Sequence, residues 1–406
     1  MAQHVPVDEQ LSAAHTQTIK ATLPLVGSKI DEITPIFYQR MFDAHPELLR
    51  DTFNRANQKQ GAQQKALAAS VAHFAMMLVD PARPNLDDLL SRIGHKHVSL
   101  GITEDQYQIV HDNLFAAIVE VLGADVVTAD VAEAWDEVYW IMARTLVRFE
   151  KKRYAELGVP DGKVFHTVTV ARRTDLSSDT ASFELVARDG DRSLNGFAPG
   201  QYISVRRPLA DGAGQLRQYS LCNAGGDGTW QITVKKTLGQ GSPDGEVSGS
   251  IIAGLHAGDE LEVSLPTGDL VLDEGTNPVV LISAGIGATP MLGMARHLAT
   301  RPGKRELVVL HADHDANDAA LVEELSQATE QAGGTFHPWF THGSTLGSTS
   351  GRMNLERVEL PEGASYYLCG SNGFLQAMRS QLAEREVPAE SIHFELFSPN
   401  DWLLPA

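Results

Sequence analysis

The hydrophobic period of this chain changes twice, and the two changes divide it into three kinds of structure. Before about residue 155, apolar residues recur at helical spacing, as in Ala66, Leu67, Val71, Phe74 and Leu78, or Trp135, Val138, Tyr139, Met142, Leu146 and Phe149. From Gly162 to about Val271 the period falls to two: Val164, His166, Val168 and Val170 alternate with Phe165, Thr167 and Thr169, and turn pairs such as Pro199-Gly200 and Asp227-Gly228 separate the short runs. After Asn277, wholly apolar runs (Val279–Ile282, Leu307–Leu310, Tyr366–Leu368) alternate with helical stretches at Met291–Thr300 and Ala319–Ala332. Apolar strands separated by helices indicate a parallel sheet covered on both faces. The expected fold is therefore multidomain: an all-α domain over 1–155, an antiparallel β-barrel over 160–272 and an α/β parallel-sheet domain over 276–406.

Composition removes several classes of function. Against 33 basic residues stand 52 acidic ones, a formal charge of -19 that opposes nucleic acid binding. The two cysteines, Cys222 and Cys369, suffice for neither a disulfide framework nor a cysteine-ligated zinc or iron–sulfur site, which suits a reducing cytoplasm. The uncharged run Pro278–Met294 is broken by Gly285, Gly287, Pro290 and Gly293, so no integral membrane association is expected. Residues 1–20 do not read as a signal peptide.

Within the helical part, Lys96 and His97 stand near a helix end. Phe37-Tyr38 and Phe53 precede them, Gln63 and Leu67 lie four apart on one helical face, and Tyr107 and Glu150 follow. In this order the residues resemble the bacterial flavohemoglobin family. The resemblance implies a globin holding haem b through His97 as axial iron ligand, with Phe53 packed on the haem face and Tyr38, Gln63 and Leu67 around the distal pocket. It assigns Tyr107 and Glu150 as proximal partners of the histidine ring, a role that fits the need to fix a ligating imidazole through its second nitrogen. His95 has no such company and is expected at the surface.

Arg217-Gln218-Tyr219-Ser220 resembles the R-x-Y-S pattern of ferredoxin reductase-like flavin domains, flanked by Tyr202 upstream and Gly245-Glu246-Val247-Ser248 downstream. The resemblance implies FAD: Arg217 on its pyrophosphate, Tyr219 and Ser220 beside the isoalloxazine, Tyr202 on the adenine side, and Gly245, Val247 and Ser248 near phosphate. Gly249 stands where the family usually has Asn.

The run Gly285-Ile286-Gly287-Ala288-Thr289-Pro290 follows an apolar strand and opens a helix, the context of a phosphate-binding turn, and resembles the NAD(P)H site of the same reductases. Cys369-Gly370 resembles the second nicotinamide-side turn, continued by Ser371-Asn372 where the family more often has Pro-Val. The tail Glu395-Leu396-Phe397-Ser398-Pro399 resembles the strand in which an aromatic, here Phe397, covers the flavin. Leu396 and Ser398 replace the common Cys and Gly.

The whole resemblance implies a nitric oxide dioxygenase that converts NO and O2 to nitrate with electrons passed from NAD(P)H through FAD to haem. Tyr38, Gln63, Lys96, Tyr107, Glu150 and Glu395 are its expected catalytic residues. A cytoplasmic monomer with these small-molecule substrates is expected.

Overall fold

The computed structural model describes residues 10–55, 62–80, 85–188, 194, 196–239, 244–301, 305–316, 319–345 and 347–397, the side chains of 62–69 and 88 excepted. Contacts group these into two compact units, one combining the chain up to Phe165 with Ala210–Leu216, the other combining His166–Leu209 with the described residues from Arg217 to Phe397.

The first unit is helical: α1 (Ala13–Ser28), α2 (Ile30–Ala44), a π-helical turn at Leu48–Thr52, α3 (Ala62–Leu78), α4 (Leu86–Leu100), α5 (Asp105–Leu122) and α6 (Ala129–Leu157). Of the periodic apolar residues read from the sequence, Phe74, Leu78, Trp135, Val138, Tyr139, Met142 and Leu146 lie in one core together with Phe37, Met41, Leu90 and Ala117. Side-chain caps start several helices: Ser12 accepts from the His15 N–H, Asn85 from Asp87 and Thr128 from Val131. Helix α4 stops at Gly101, whose φ of 72° is the left-handed conformation that closes a helix, one turn beyond His97.

The strands form two sheets, all of the second unit except Phe165 and residues 214–216, which group with the first. The first is antiparallel in its recorded pairings and is built from β1 (Phe165–Asp175), β2 (Thr180–Ala187), β3 (Tyr202–Pro208), β4 (Gly214–Ser220), β5 (Trp230–Lys235) and β6 (Glu260–Ser264), in the order β4-β3-β6-β1-β2-β5. It curls until the end of β4 meets β5. Leu221 bridges Ile232 antiparallel, and the Cys222 N–H donates to the Gln231 carbonyl at 2.8 Å, which seals the expected barrel. Its interior is filled by Val168, Val170, Phe183, Ile203, Val205 and Ile232, and helix α7 (Glu246–Gly254) packs against β3 and β5.

The second sheet is parallel, as the apolar runs require. It comprises β7 (Val279–Ala284), β8 (Leu307–Asp315), β9 (Thr335–His342), β10 (Thr349–Ser350), β11 (Ser365–Gly370) and β12 (Ile392–Leu396), in the order β10-β9-β8-β7-β11-β12. Helices α8 (Ala288–Ala299), α9 (Val322–Gln331) and α10 (Asn372–Glu384) connect them. No helix among the described residues is long and apolar enough to cross a membrane.

Candidate functional site

A pocket in the helical unit has His97 and Lys96 on α4, Tyr107 on α5, and Tyr38 and Phe53 in its wall, with apolar Val71, Ile93, Val110 and Leu146 completing it. His97 Nδ1 lies 2.8 Å from Glu150 Oε1 and 2.9 Å from Tyr107 Oη, and the Tyr107 hydroxyl donates to the same Glu150 oxygen at 2.5 Å. Glu150 is 2% exposed. Burial, reinforced by the neighbouring Glu150 charge and hydrogen bond, holds the Tyr107 phenol well above its usual pKa, so it remains a donor. A carboxylate oxygen against Nδ1 places the ring proton there and leaves the Nε2 lone pair for a metal. Tyr139 secures the arrangement from behind by donating to the Tyr107 carbonyl at 2.6 Å.

This convergence depends on how closely α4 and α6 approach. A Cβ on Gly94 would fall 2.4 Å from Phe149 Cδ1, so only glycine lets the two helices close and bring His97 to Glu150. The position is one that sequence reasoning missed, although a glycine three residues before a ligand-type histidine is a usable signal. His95, expected at the surface, is instead buried at 8% exposure with its ring 5.1 Å from that of Phe149. The same tight helix contact encloses it.

Across the pocket, Tyr38 is 2% exposed and packs edge-on against Phe53, the ring centroids 5.9 Å apart, while Phe53 meets Phe42 at 5.4 Å. Gln63 and Leu67 fall on α3, and their side chains lie outside the described residues. The residues present fit a haem: one imidazole with its outer nitrogen held, aromatic and aliphatic walls, and one phenol donor.

In the second unit, β4 carries Arg217, Gln218, Tyr219 and Ser220 next to Tyr202 on β3. Alternation along the strand sets Arg217 and Tyr219 on one face and Gln218 and Ser220 on the other. Gln218 Nε2 donates to Ser204 Oγ at 3.0 Å, and Ser220 is buried. Burial pushes the Tyr219 phenol far up, so it is neutral. At the start of α7, the Gly245 N–H donates to the Thr237 carbonyl and Ser248 Oγ accepts the Thr237 N–H at 3.1 Å. Val247 is buried. The local backbone therefore already engages two groups the sequence reading aimed at phosphate, and the remaining N–H donors there belong to the first turn of α7.

The Gly285–Pro290 run turns from β7 into α8 at the carboxyl edge of the parallel sheet. Gly285 has φ 54°, and a Cβ on Gly287 would lie 2.4 Å from the Cys369 carbonyl oxygen. Thr289 Oγ1 donates to the Ile286 carbonyl at 2.9 Å, while Ala288 and Pro290 are buried. Register sets Cys369 beside both Ser283 and Glu395, and Gly370 beside Leu396, so the two turns and the tail strand meet at one edge. A cleft there is lined by Gly285, Asp313, Arg352 and Phe374. Cys369 is fully buried and its thiol is held well above its usual pKa by burial and the Glu395 charge, so it is no nucleophile. Glu395 is buried, Phe397 is 50% exposed, and Ser398 and Pro399 lie outside the described residues.

Comparison with known proteins matches residues 36–146 to the globin family, 167–271 to the oxidoreductase FAD-binding domain and 281–380 to the oxidoreductase NAD-binding domain. A flavohemoprotein of Halalkalibacterium halodurans is 37% identical over 96% of this chain and 97% of its own. One of Chromobacterium violaceum is 38% identical over 95% and 98%. The crystal structure of a flavohemoglobin from Malassezia yamatoensis with bound FAD and heme superposes with a TM-score of 0.87 at 34% identity, covering 96% of this chain and 100% of that one. The FAD/NAD-binding domain of a nitric oxide dioxygenase from Vibrio cholerae O1 biovar El Tor gives 0.54 at 33% identity, over 58% of this chain and 99% of that one.

Proposed function

Because this chain belongs to the flavohemoprotein family, an NAD(P)H-dependent class of oxidoreductase, we propose that it is a nitric oxide dioxygenase. The observation that carries the reading is the His97–Glu150–Tyr107 cluster under a pocket walled by Tyr38 and Phe53, in a chain that also has FAD- and NAD-binding modules. The overall conversion takes two NO, two O2 and one NAD(P)H to two nitrate, NAD(P)+ and a proton.

When bound, FAD accepts a hydride and releases electrons singly, and haem b binds oxygen. The chain's own residues supply position and charge. His97 keeps its proton at Nδ1 against Glu150, which makes the ring more basic at Nε2 and favours oxidised iron. The Tyr38 hydroxyl lends a donor to the distal side, and Lys96, Gln63 and Glu395 belong to the same proposed catalytic set. Phe53 and Leu67 bound the haem. Arg217, with its forked donors, serves the FAD pyrophosphate, while Tyr202, Tyr219 and Phe397 offer ring faces to the flavin nucleotide. Gly285, Gly287 and the opening N–H groups of α8 serve the NAD(P)H pyrophosphate. In this reading residues 1–155 serve haem, 160–272 FAD and 276–406 NAD(P)H, in a cytoplasmic protein.

The test is nitrate formed per NADH consumed under air with NO supplied; two nitrate per NADH are expected. Oxygen-dependent NADH consumption without nitrate overturns the dioxygenase reading in favour of an oxygen-storing or oxygen-sensing globin whose reductase only keeps its iron reduced. Haem-supplemented protein without a Soret band overturns the haem assignment.

A further inference from the structure

The turn that delivers Phe53 to the pocket is π-helical, Leu48–Thr52, and its final carbonyls have no partner further along the helix. One side chain takes them. Gln215 Nε2 donates to the carbonyls of Leu49 at 3.2 Å, Arg50 at 2.9 Å and Phe53 at 3.1 Å, and its Oε1 accepts the Arg55 N–H at 3.3 Å. Gln215 is completely buried. Its two amide hydrogens are thus spread over three acceptors, a geometry that neither an aliphatic nor a carboxylate side chain reproduces. On either side of it, the Gly214 N–H donates to Asp51 Oδ1 at 3.0 Å, and Arg55 pairs with Asp211 at 2.5 Å. All these residues belong to the first unit.

We propose that Gln215 is a positioning residue for the haem pocket: it caps the π turn and thereby sets where Phe53 stands against Tyr38. The inference rests on the haem reading above. Phe53 touches Tyr38 ring to ring and its carbonyl is held by Gln215, so freedom in the turn passes directly to the wall that carries the distal phenol. A fully buried amide that spans three carbonyls is also costly to remove, because its own donors lose every partner, and this keeps the turn in a single arrangement.

The test compares full-length, haem- and FAD-loaded wild type with Gln215→Leu and Gln215→Glu. Amide exchange at Arg55 and Gly214 is expected to accelerate at least tenfold in both, and oxygen dissociation from the ferrous protein to change at least threefold, most in Gln215→Glu because its carboxylate faces three carbonyl oxygens. Asp211→Asn, at the exposed rim, should move both readouts the same way by less, and stands in if the buried variants do not fold. Unchanged exchange overturns the cap; faster exchange with unchanged oxygen dissociation overturns the positioning role. Wild type lacking a Soret band sinks the haem reading separately, since exchange at Arg55 reads the cap without haem.

Discussion

His97 Nδ1 and Glu150 Oε1 stand 2.8 Å apart although 53 residues separate them in the chain, and Glu150 is sealed from solvent. A buried carboxylate that accepts from an imidazole fixes the ring and raises its donor strength toward a metal.

Glu150→Gln keeps the volume and removes the charge. Haem affinity is expected to fall roughly 10–100-fold and the ferric/ferrous midpoint potential to rise. Spectroelectrochemical titration checks this, and an unmoved potential removes Glu150 from the proximal role.

Tyr38→Phe deletes the phenol proposed as distal donor without opening a cavity. A hydrogen bond to a charged partner contributes about 1.5–3 kcal/mol, which corresponds to oxygen dissociation roughly ten- to a hundredfold faster. Stopped-flow measurement on the ferrous protein decides it.

Arg217→Ala should release FAD. Gel filtration at low flavin concentration is expected to separate yellow small molecule from protein, with the Soret band retained; co-elution of flavin at wild-type ratio counts against the assignment.

Gly287→Ala places a methyl group where the Cys369 carbonyl already stands. Overpacking of this kind costs about 1–3 kcal/mol, and displacing the start of α8 should also raise the KM for NADH. A melting temperature and KM both equal to wild type would mean that the two turns are not locked together.

Cys222 gives a pH prediction. Burial raises its thiol from about 9 to about 11, so below pH 9 both folded and unfolded chains hold the proton and stability is unaffected. Between pH 9 and 11 the unfolded chain releases it first, and stability falls as pH rises. Urea midpoints across that range should drop more steeply for wild type than for Cys222→Ala; parallel curves contradict the assignment.

The three periods located the layers because each kind of element buries its own pattern, and the parallel sheet follows from β7 and β8 being apolar throughout. His97, Tyr107 and Glu150 were legible as a set through family resemblance, and the structure places the three within hydrogen-bond distance of one another. Gly94 was not, since its importance lies in Phe149, a neighbour distant in sequence. Nor was Gln215: beside the flavin motif it reads as an ordinary polar strand residue, and its acceptors lie more than 160 positions away. The burial of His95 depended on which side of α4 meets α6, a choice that spacing alone left open. The π turn has no periodic signature at all.

At the seam of the antiparallel sheet, Leu221 pairs with Ile232 and the Cys222 N–H reaches the Gln231 carbonyl, so the two edges cap one another at that point. The parallel sheet, on its β10 side, ends in a strand only two residues long. At those two places a neighbouring copy finds little template on which to extend a ladder, so strand-on-strand association in crowded or partly heated preparations should begin instead at β12, the other edge of the parallel sheet.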